Sequence, residues 1–105
     1  MQAAIVTGAG TGIGAAVARR LGADGYGVGL VGRRVEPLES VAAELEAALV
    51  VGADVGVSGE AERIVAAAVE RFGGVDILVN NAGVGESGGP STRLRRAGTR
   101  RFGST

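Results

Sequence analysis

Apolar residues in this chain fall in short continuous runs separated by longer stretches of helical period. Ala3-Ala4-Ile5-Val6-Thr7 is the first run, stopped by Gly8. Alone it fits a strand or a piece of buried helix; the glycines that follow favour a strand ending in a tight turn. From Ile13 the spacing changes. Ile13, Val17 and Leu21 recur every four residues with Arg19 and Arg20 off the stripe, predicting a first helix ended by Gly22 and Gly25. Val28, Leu30 and Val31 form a second run, stopped by Gly32-Arg33-Arg34. A second helix is predicted to start near Glu36-Pro37, because proline is favoured in a first turn. Leu38, Val41, Ala42, Leu45 and Ala48 fall on one face of it.

Leu49-Val50-Val51 is a third strand candidate, ending near Asp54. Ser58 is the predicted N-cap of a third helix, with Glu60 and Glu62 in its first turn. Ile64, Val65, Ala68, Val69 and Phe72 mark its apolar face, and Gly73-Gly74 breaks it. Val75-Asp76-Ile77-Leu78-Val79 is the fourth strand, followed by Asn80-Asn81-Ala82-Gly83. The order is β-α-β-α-β-α-β. Continuous rather than alternating apolar strands are expected where both sheet faces are covered. Connections of this length imply parallel strands with right-handed crossovers. The predicted class is therefore α/β, a Rossmann-type open parallel sheet of four strands, order 3-2-1-4, with three helices.

Beyond Gly83 the pattern stops. In residues 84–105 only Val84, Leu94 and Phe102 are large and apolar, and no helix or strand period survives. The expected organisation is a partial dinucleotide-binding domain over 1–83 and a disordered Arg/Gly/Ser-rich tail over 84–105.

Composition sharpens this picture. Apolar residues make up 46 % and aromatics 3 %, so the core is aliphatic. There is no cysteine, histidine or lysine. That excludes disulfides, thiolate or imidazole metal sites and Schiff-base chemistry. Catalysis could draw only on Asp, Glu, Arg, Ser, Thr and the single tyrosine, Tyr26. Net charge is zero but unevenly spread. Six arginines face eleven acids up to Glu86; five arginines and no acid follow it. No apolar run approaches the roughly 18 residues of a membrane span, and the start lacks a signal-peptide pattern. A cytoplasmic location is the expectation.

The candidate chemistry lies in the turn Thr7-Gly8-Ala9-Gly10-Thr11-Gly12-Ile13-Gly14, between the first strand and the first helix. A helix N-terminus offers unpaired N–H groups and partial positive charge, which suit a pyrophosphate. Glycines let the backbone turn sharply and approach a ligand closely. The same glycines could also form a tight turn with no ligand. Two registers fit: Gly10-x-Gly12-x-x-Ala15, a G-x-G-x-x-A pattern, and Gly8-x-x-x-Gly12-x-Gly14.

The second register resembles the short-chain dehydrogenase/reductase family. Gly32-Arg33-Arg34 after strand 2, Asp54-Val55 after strand 3 and Asn80-Asn81-Ala82-Gly83 after strand 4 resemble its other motifs. The resemblance covers residues 1–83. It implies that Gly8, Gly12, Ile13 and Gly14 line the pyrophosphate and adenosine-ribose site and that Thr11 adds a hydroxyl. It implies that Asp54, with the Val55 backbone, meets the adenine amino group. Asn80, Asn81, Ala82 and Gly83 would border the ribose. Gly32 stands where an NAD-type acid would be and Arg33 follows, which resembles NADP-preferring members. A guanidinium can hold a phosphate through two parallel hydrogen bonds. NADP is thus the expected cofactor, ahead of NAD. The plainer readings are a solvated Arg33–Arg34 pair, a strand-end cap at Asp54 and ordinary turn chemistry at Asn80–Gly83.

Family members do their chemistry with a tyrosine and a lysine four residues later, helped by a serine and a further asparagine. This sequence has no lysine, and Tyr26 lies between helix 1 and strand 2. No catalytic residue can be assigned, and no metal site. The fourth strand should be an exposed edge. Two helices should cover one sheet face and one the other, leaving apolar surface bare. Family members pair through helices that would follow strand 4. A truncated or frameshifted product would explain both the break and the basic tail. Three functions follow: an NAD(P)-binding fragment of an oxidoreductase, inactive alone; a non-catalytic NADP(H)-binding module; and an interaction protein whose arginines 93–101 meet nucleic acid or an acidic partner. Without interleaved aromatics the nucleic-acid signal is weak, and no membrane partner is expected.

Overall fold

A computed structural model describes residues 1–54 and 56–81. Val55, Ala82, Gly83 and the tail from 84 to 105 lie outside the described residues. The element order is β1 (Ala3–Thr7), α1 (Gly12–Ala23), β2 (Gly27–Gly32), α2 (Val35–Ala42), β3 (Ala48–Gly52), α3 (Glu60–Phe72) and β4 (Ile77–Val79). The four strands form one parallel sheet in the order β3-β2-β1-β4, as the alternating pattern predicts.

Side-chain alternation along β1 divides the core between the two faces. Val6 points into a cluster with Val28, Leu30 and Val79, covered by Ala15 and Ala18 of α1 and Leu38 and Val41 of α2. Ala3 and Ile5 point the other way, to Val31, Val51, Ile64, Ala68, Phe72 and Val75, under α3 alone. Every residue of β1 is buried, which is why its run is apolar without alternation. Burying an aliphatic side chain the size of Ile5 or Leu30 contributes roughly 1.5–3 kcal/mol, so the central strands carry much of the fold.

Several boundaries depart from the sequence pattern. The stripe Ile13, Val17, Leu21 is not the inner face of α1. Ile13 is 53 % exposed, and the buried residues are Gly14, Ala15 and Ala18. Small residues let α1 lie close to the sheet, a contact that a search for large apolar positions passes over. Helix α2 ends at Ala42, six residues before Ala48, which instead opens β3 and pairs with Val28. Leu45 folds back in the connecting turn: a Cβ added at Gly22 of α1 would meet Leu45 Cδ2 at 2.7 Å. The N-cap of α3 is Gly59, not Ser58. The chain arrives through a turn in which Glu60 N–H donates to the Val57 carbonyl at 3.1 Å. Gly59 there takes φ +88°, which glycine adopts without strain. Strand β4 begins at Ile77, after Asp76 has turned its carboxylate back to accept from Ala3 N–H at 3.0 Å. Tyr26 is half-buried against the α1–α2 face.

Among the described residues three surface ion pairs form, Arg20–Asp24 at 3.2 Å and two that shift their carboxyl groups. Arg19 of α1 donates to Glu44 after α2 from Nε and Nη2, at 2.9 and 3.1 Å. Arg63 and Glu60 pair within α3 at 2.7 Å. In these last two pairs the hydrogen bond from the guanidinium holds the carboxyl below its ordinary pKa. Among the described residues no helix is long and apolar enough to cross a membrane, and no group of acidic side chains could hold a metal ion.

Candidate functional site

The glycine-rich turn joins the C-terminal end of β1 to the N-terminus of α1. Gly8 and Gly12 hold φ +65° and +56°, which lets five residues reverse the chain without side-chain clashes. Gly14 is fixed for a different reason. A Cβ there would lie 2.0 Å from the Gly8 carbonyl oxygen and 2.7 Å from Asn81 Nδ2. The first turn of α1 therefore lies directly against the strand end, and only hydrogen fits between them.

Side chains after β4 lock this arrangement. Asn81 Nδ2 donates to the Gly8 carbonyl at 3.3 Å, and Asn81 N–H donates to Thr7 Oγ1 at 2.9 Å. The Thr7 hydroxyl in turn lies 3.2 Å from Asn80 Oδ1 and 3.5 Å from the Val79 carbonyl. The site's floor is thus a network among Thr7, Gly8, Asn80 and Asn81. Thr7 and the side-chain amide of Asn81 have structural roles that spacing did not disclose. The available signal was a threonine ending an otherwise aliphatic strand.

Above this floor, Gly8, Gly10 and Thr11 form one wall of a cleft of about 220 Å³. Gly32, Arg33, Arg34, Pro37 and Leu38 form the other. Thr11 is the N-cap of α1, yet its hydroxyl makes no capping hydrogen bond. No acid occupies the first turn of α1. Arg33 and Arg34 are exposed, and among the described residues neither makes a hydrogen bond or an ion pair. The cleft therefore combines a helix N-terminus with two free guanidinium groups, an arrangement suited to a multiply charged anion.

The other candidates sit apart from this cleft. Gly12 and Ile13 are exposed at the start of α1. Asp54 follows β3 and accepts from Gly56 N–H at 2.9 Å, an Asx turn. Asp54 does not line the cleft. Val55, Ala82 and Gly83 lie outside the described residues.

Comparison with known proteins agrees with this geometry. The family model described as short chain dehydrogenase matches residues 2–102. The chain belongs to the short chain dehydrogenase family. A Streptomyces violaceoruber protein named for ketoacyl reductase 2 of the granaticin polyketide synthase is 52 % identical over 81 residues. That match covers 76 % of this chain and 32 % of the relative. Among solved structures, L-sorbose reductase from Gluconobacter frateurii, complexed with NADPH and L-sorbose, superposes with a TM-score of 0.74 at 37 % identity. It covers 80 % of this chain and 34 % of that one. A metagenomic short-chain oxidoreductase in complex with NADP gives a TM-score of 0.72 at 44 % identity, covering 85 % and 42 %. The chain spans about a third of the length of the curated relatives it matches.

Proposed function

We propose that this chain is the NADP(H)-binding portion of a short-chain oxidoreductase and does not complete the reaction by itself. The observation that carries the reading is the cleft between the β1–α1 turn and Arg33–Arg34. The Gly8–Gly14 contact supports the pyrophosphate assignment. It sets the first turn of α1 against the end of β1 with no side chain between them, and unpaired N–H groups at that N-terminus favour an anion. Gly8, Gly12, Ile13 and Gly14 would hold the pyrophosphate, with the Thr11 hydroxyl free to add a hydrogen bond. Arg33 and Arg34 would take the 2′-phosphate, which explains why two cations stand at the end of β2 with no partner among the described residues. Asp54 and Val55 would meet the adenine, and Asn80 to Gly83 the ribose. The bound nicotinamide would supply hydride.

The second half of the proposal concerns the chemistry. The 105 residues contain no lysine, so the Tyr-x-x-x-Lys segment that the family uses for proton transfer is not among them. Tyr26, the single tyrosine, directly precedes β2 beside the start of β1, at the opposite end of the strands from the turn's glycines. NADP-bound relatives in the comparison support the choice of cofactor.

The test combines binding with turnover on the same preparation. A 2′-phosphorylated adenosine nucleotide should compete with NADPH, whereas the analogue without the 2′-phosphate should compete poorly. NADPH consumption with a ketone substrate should stay at background. Equal competition by both analogues would overturn the NADP assignment, and measurable turnover would overturn the claim that the chain lacks its catalytic machinery.

A further inference from the structure

Gly10 is the one glycine of the β1–α1 turn that cofactor binding leaves without a part. Its backbone gives no reason for glycine: Gly8 and Gly12 hold positive φ, and Gly10 does not. Room gives the reason. A Cβ at Gly10 would lie 2.8 Å from Pro37 Cβ, well inside the roughly 3.5–4.0 Å at which two carbons rest. Pro37 Cβ belongs to a ring that locks the backbone φ. It cannot swing aside as the tip of a long side chain can.

This contact joins the two walls of the cleft, and both residues line it. Pro37 is the third residue of α2, Arg34 is that helix's N-cap, and Arg33 precedes it. The two cations therefore hang directly from the helix end that carries Pro37. Leu38, 1 % exposed, anchors that end from below. A Cβ at Gly32 would meet Leu38 Cδ2 at 3.3 Å, and one at Gly10 would meet it at 3.5 Å. On the strand side, Ala9 N–H donates to the Val31 carbonyl at 3.2 Å. The glycine turn is thus seated on the end of β2 and on the first turn of α2 together.

We propose that Gly10 and Pro37 form the spacer of the cleft. A single Cβ, supplied by Pro37, sets the distance between the glycine turn and Arg33–Arg34, and with it the preference for a 2′-phosphorylated dinucleotide. The proposal rests on the cofactor reading above, and Pro37 is in it a positioning residue. Covalent bonds fix how far a 2′-phosphate stands from the pyrophosphate of the same nucleotide, so the walls must match that span. Two Cβ atoms at the contact would push the arginines outward; none would let them drift. A dinucleotide without the 2′-phosphate engages the turn alone and should not sense the spacing.

The count of Cβ atoms gives a mutant cycle in which two harmful changes cancel. Gly10→Ala makes two, Pro37→Gly makes none, and the double variant makes one again. Affinities of the full chain for NADPH and NADH, read by nicotinamide fluorescence, form the main measurement. Each single change should lower the NADPH-over-NADH preference about tenfold, the worth of about one hydrogen bond to a charged group. The double variant should restore it. Pro37→Ala keeps the Cβ, so alone it should preserve the preference, and it should fail to rescue Gly10→Ala. Equal losses for both cofactors would overturn the proposal, as would losses that add in the double variant. If Gly10→Ala does not fold, recovery by Pro37→Gly but not by Pro37→Ala supports the contact, and recovery by neither overturns it. In the ligand-free chain, amide NMR signals of Gly32, Arg33 and Arg34 should move in Gly10→Ala and return in the double variant. Signals that move in a chain without any NADPH preference would place the failure in the cofactor reading. Signals that never move would place it in the spacer.

Discussion

Between β1 and α1 the chain works with missing side chains; between β2 and α2 it works with protruding ones. The first turn is held by backbone against backbone, with Gly14 pressed to the Gly8 carbonyl and Asn81, after β4, donating to that same carbonyl. The second ends in Arg33 and Arg34, exposed and tied to nothing described. The contrast separates two jobs that meet in one cleft. A substitution in the first turn should damage fold and binding together. A substitution in the second should change what is bound and leave the fold alone.

The largest expected effect comes from Gly14→Ala. The added methyl has no room beside a carbonyl oxygen that cannot retreat, so stability should fall by about 3 kcal/mol or more. Urea unfolding would measure it; a loss within about 0.5 kcal/mol would mean that the close approach is not a constraint. Next is Thr7→Val, which keeps the shape but removes the acceptor for Asn81 N–H. A buried donor left unpaired costs about 1–3 kcal/mol; Asn81 N–H is only part-buried, so the same unfolding measurement should read a loss near the lower end of that range.

The second turn should behave in the opposite way. Arg33→Ala with Arg34→Ala should leave stability within about 0.5 kcal/mol. Affinity for NADPH should drop by about ten- to a hundredfold, the worth of one charge-assisted hydrogen bond or more, while NADH affinity should barely change. Equal losses for the two cofactors would erase the distinction between the turns.

The smallest effect concerns the ion pairs, which belong to neither turn. Glu44 and Glu60 have lowered pKa values in the folded chain. The stability they contribute is present above the unfolded carboxylate value and drains as pH falls through the lower folded one. Both pairs face water, so the slope should be shallow and should flatten further in salt. Glu44→Gln with Glu60→Gln should remove part of the acid loss measured by unfolding between pH 7 and 3.

The sheet order and the alternation of elements were legible because β1 is buried on both faces and reads as an unbroken apolar run. The inner face of α1 was not, because Gly14, Ala15 and Ala18 contribute closeness rather than hydrophobic bulk. Pattern extended α2 to Ala48 because Leu45 and Ala48 keep helical spacing from Leu38, although the chain has already turned at Ala43 and joined β2. Ser58 carried the better capping side chain, but the turn required a left-handed residue one position later, at Gly59. Within the site, the glycines and arginines could be read by type and spacing. The Thr7–Asn81 network could not, since residues 74 apart in sequence meet only after β4 pairs with β1.

The central claim is that the first turn and Arg33–Arg34 form one anion-binding cleft for a 2′-phosphorylated dinucleotide. Amide chemical shifts of the full chain during titration with NADPH test it most directly. The account predicts saturable shifts at Gly8, Gly10, Thr11, Gly12, Gly14, Arg33 and Arg34, with smaller shifts at the glycine turn alone when NADH is used. No saturable shift at millimolar NADPH, or shifts centred on α3, would contradict it.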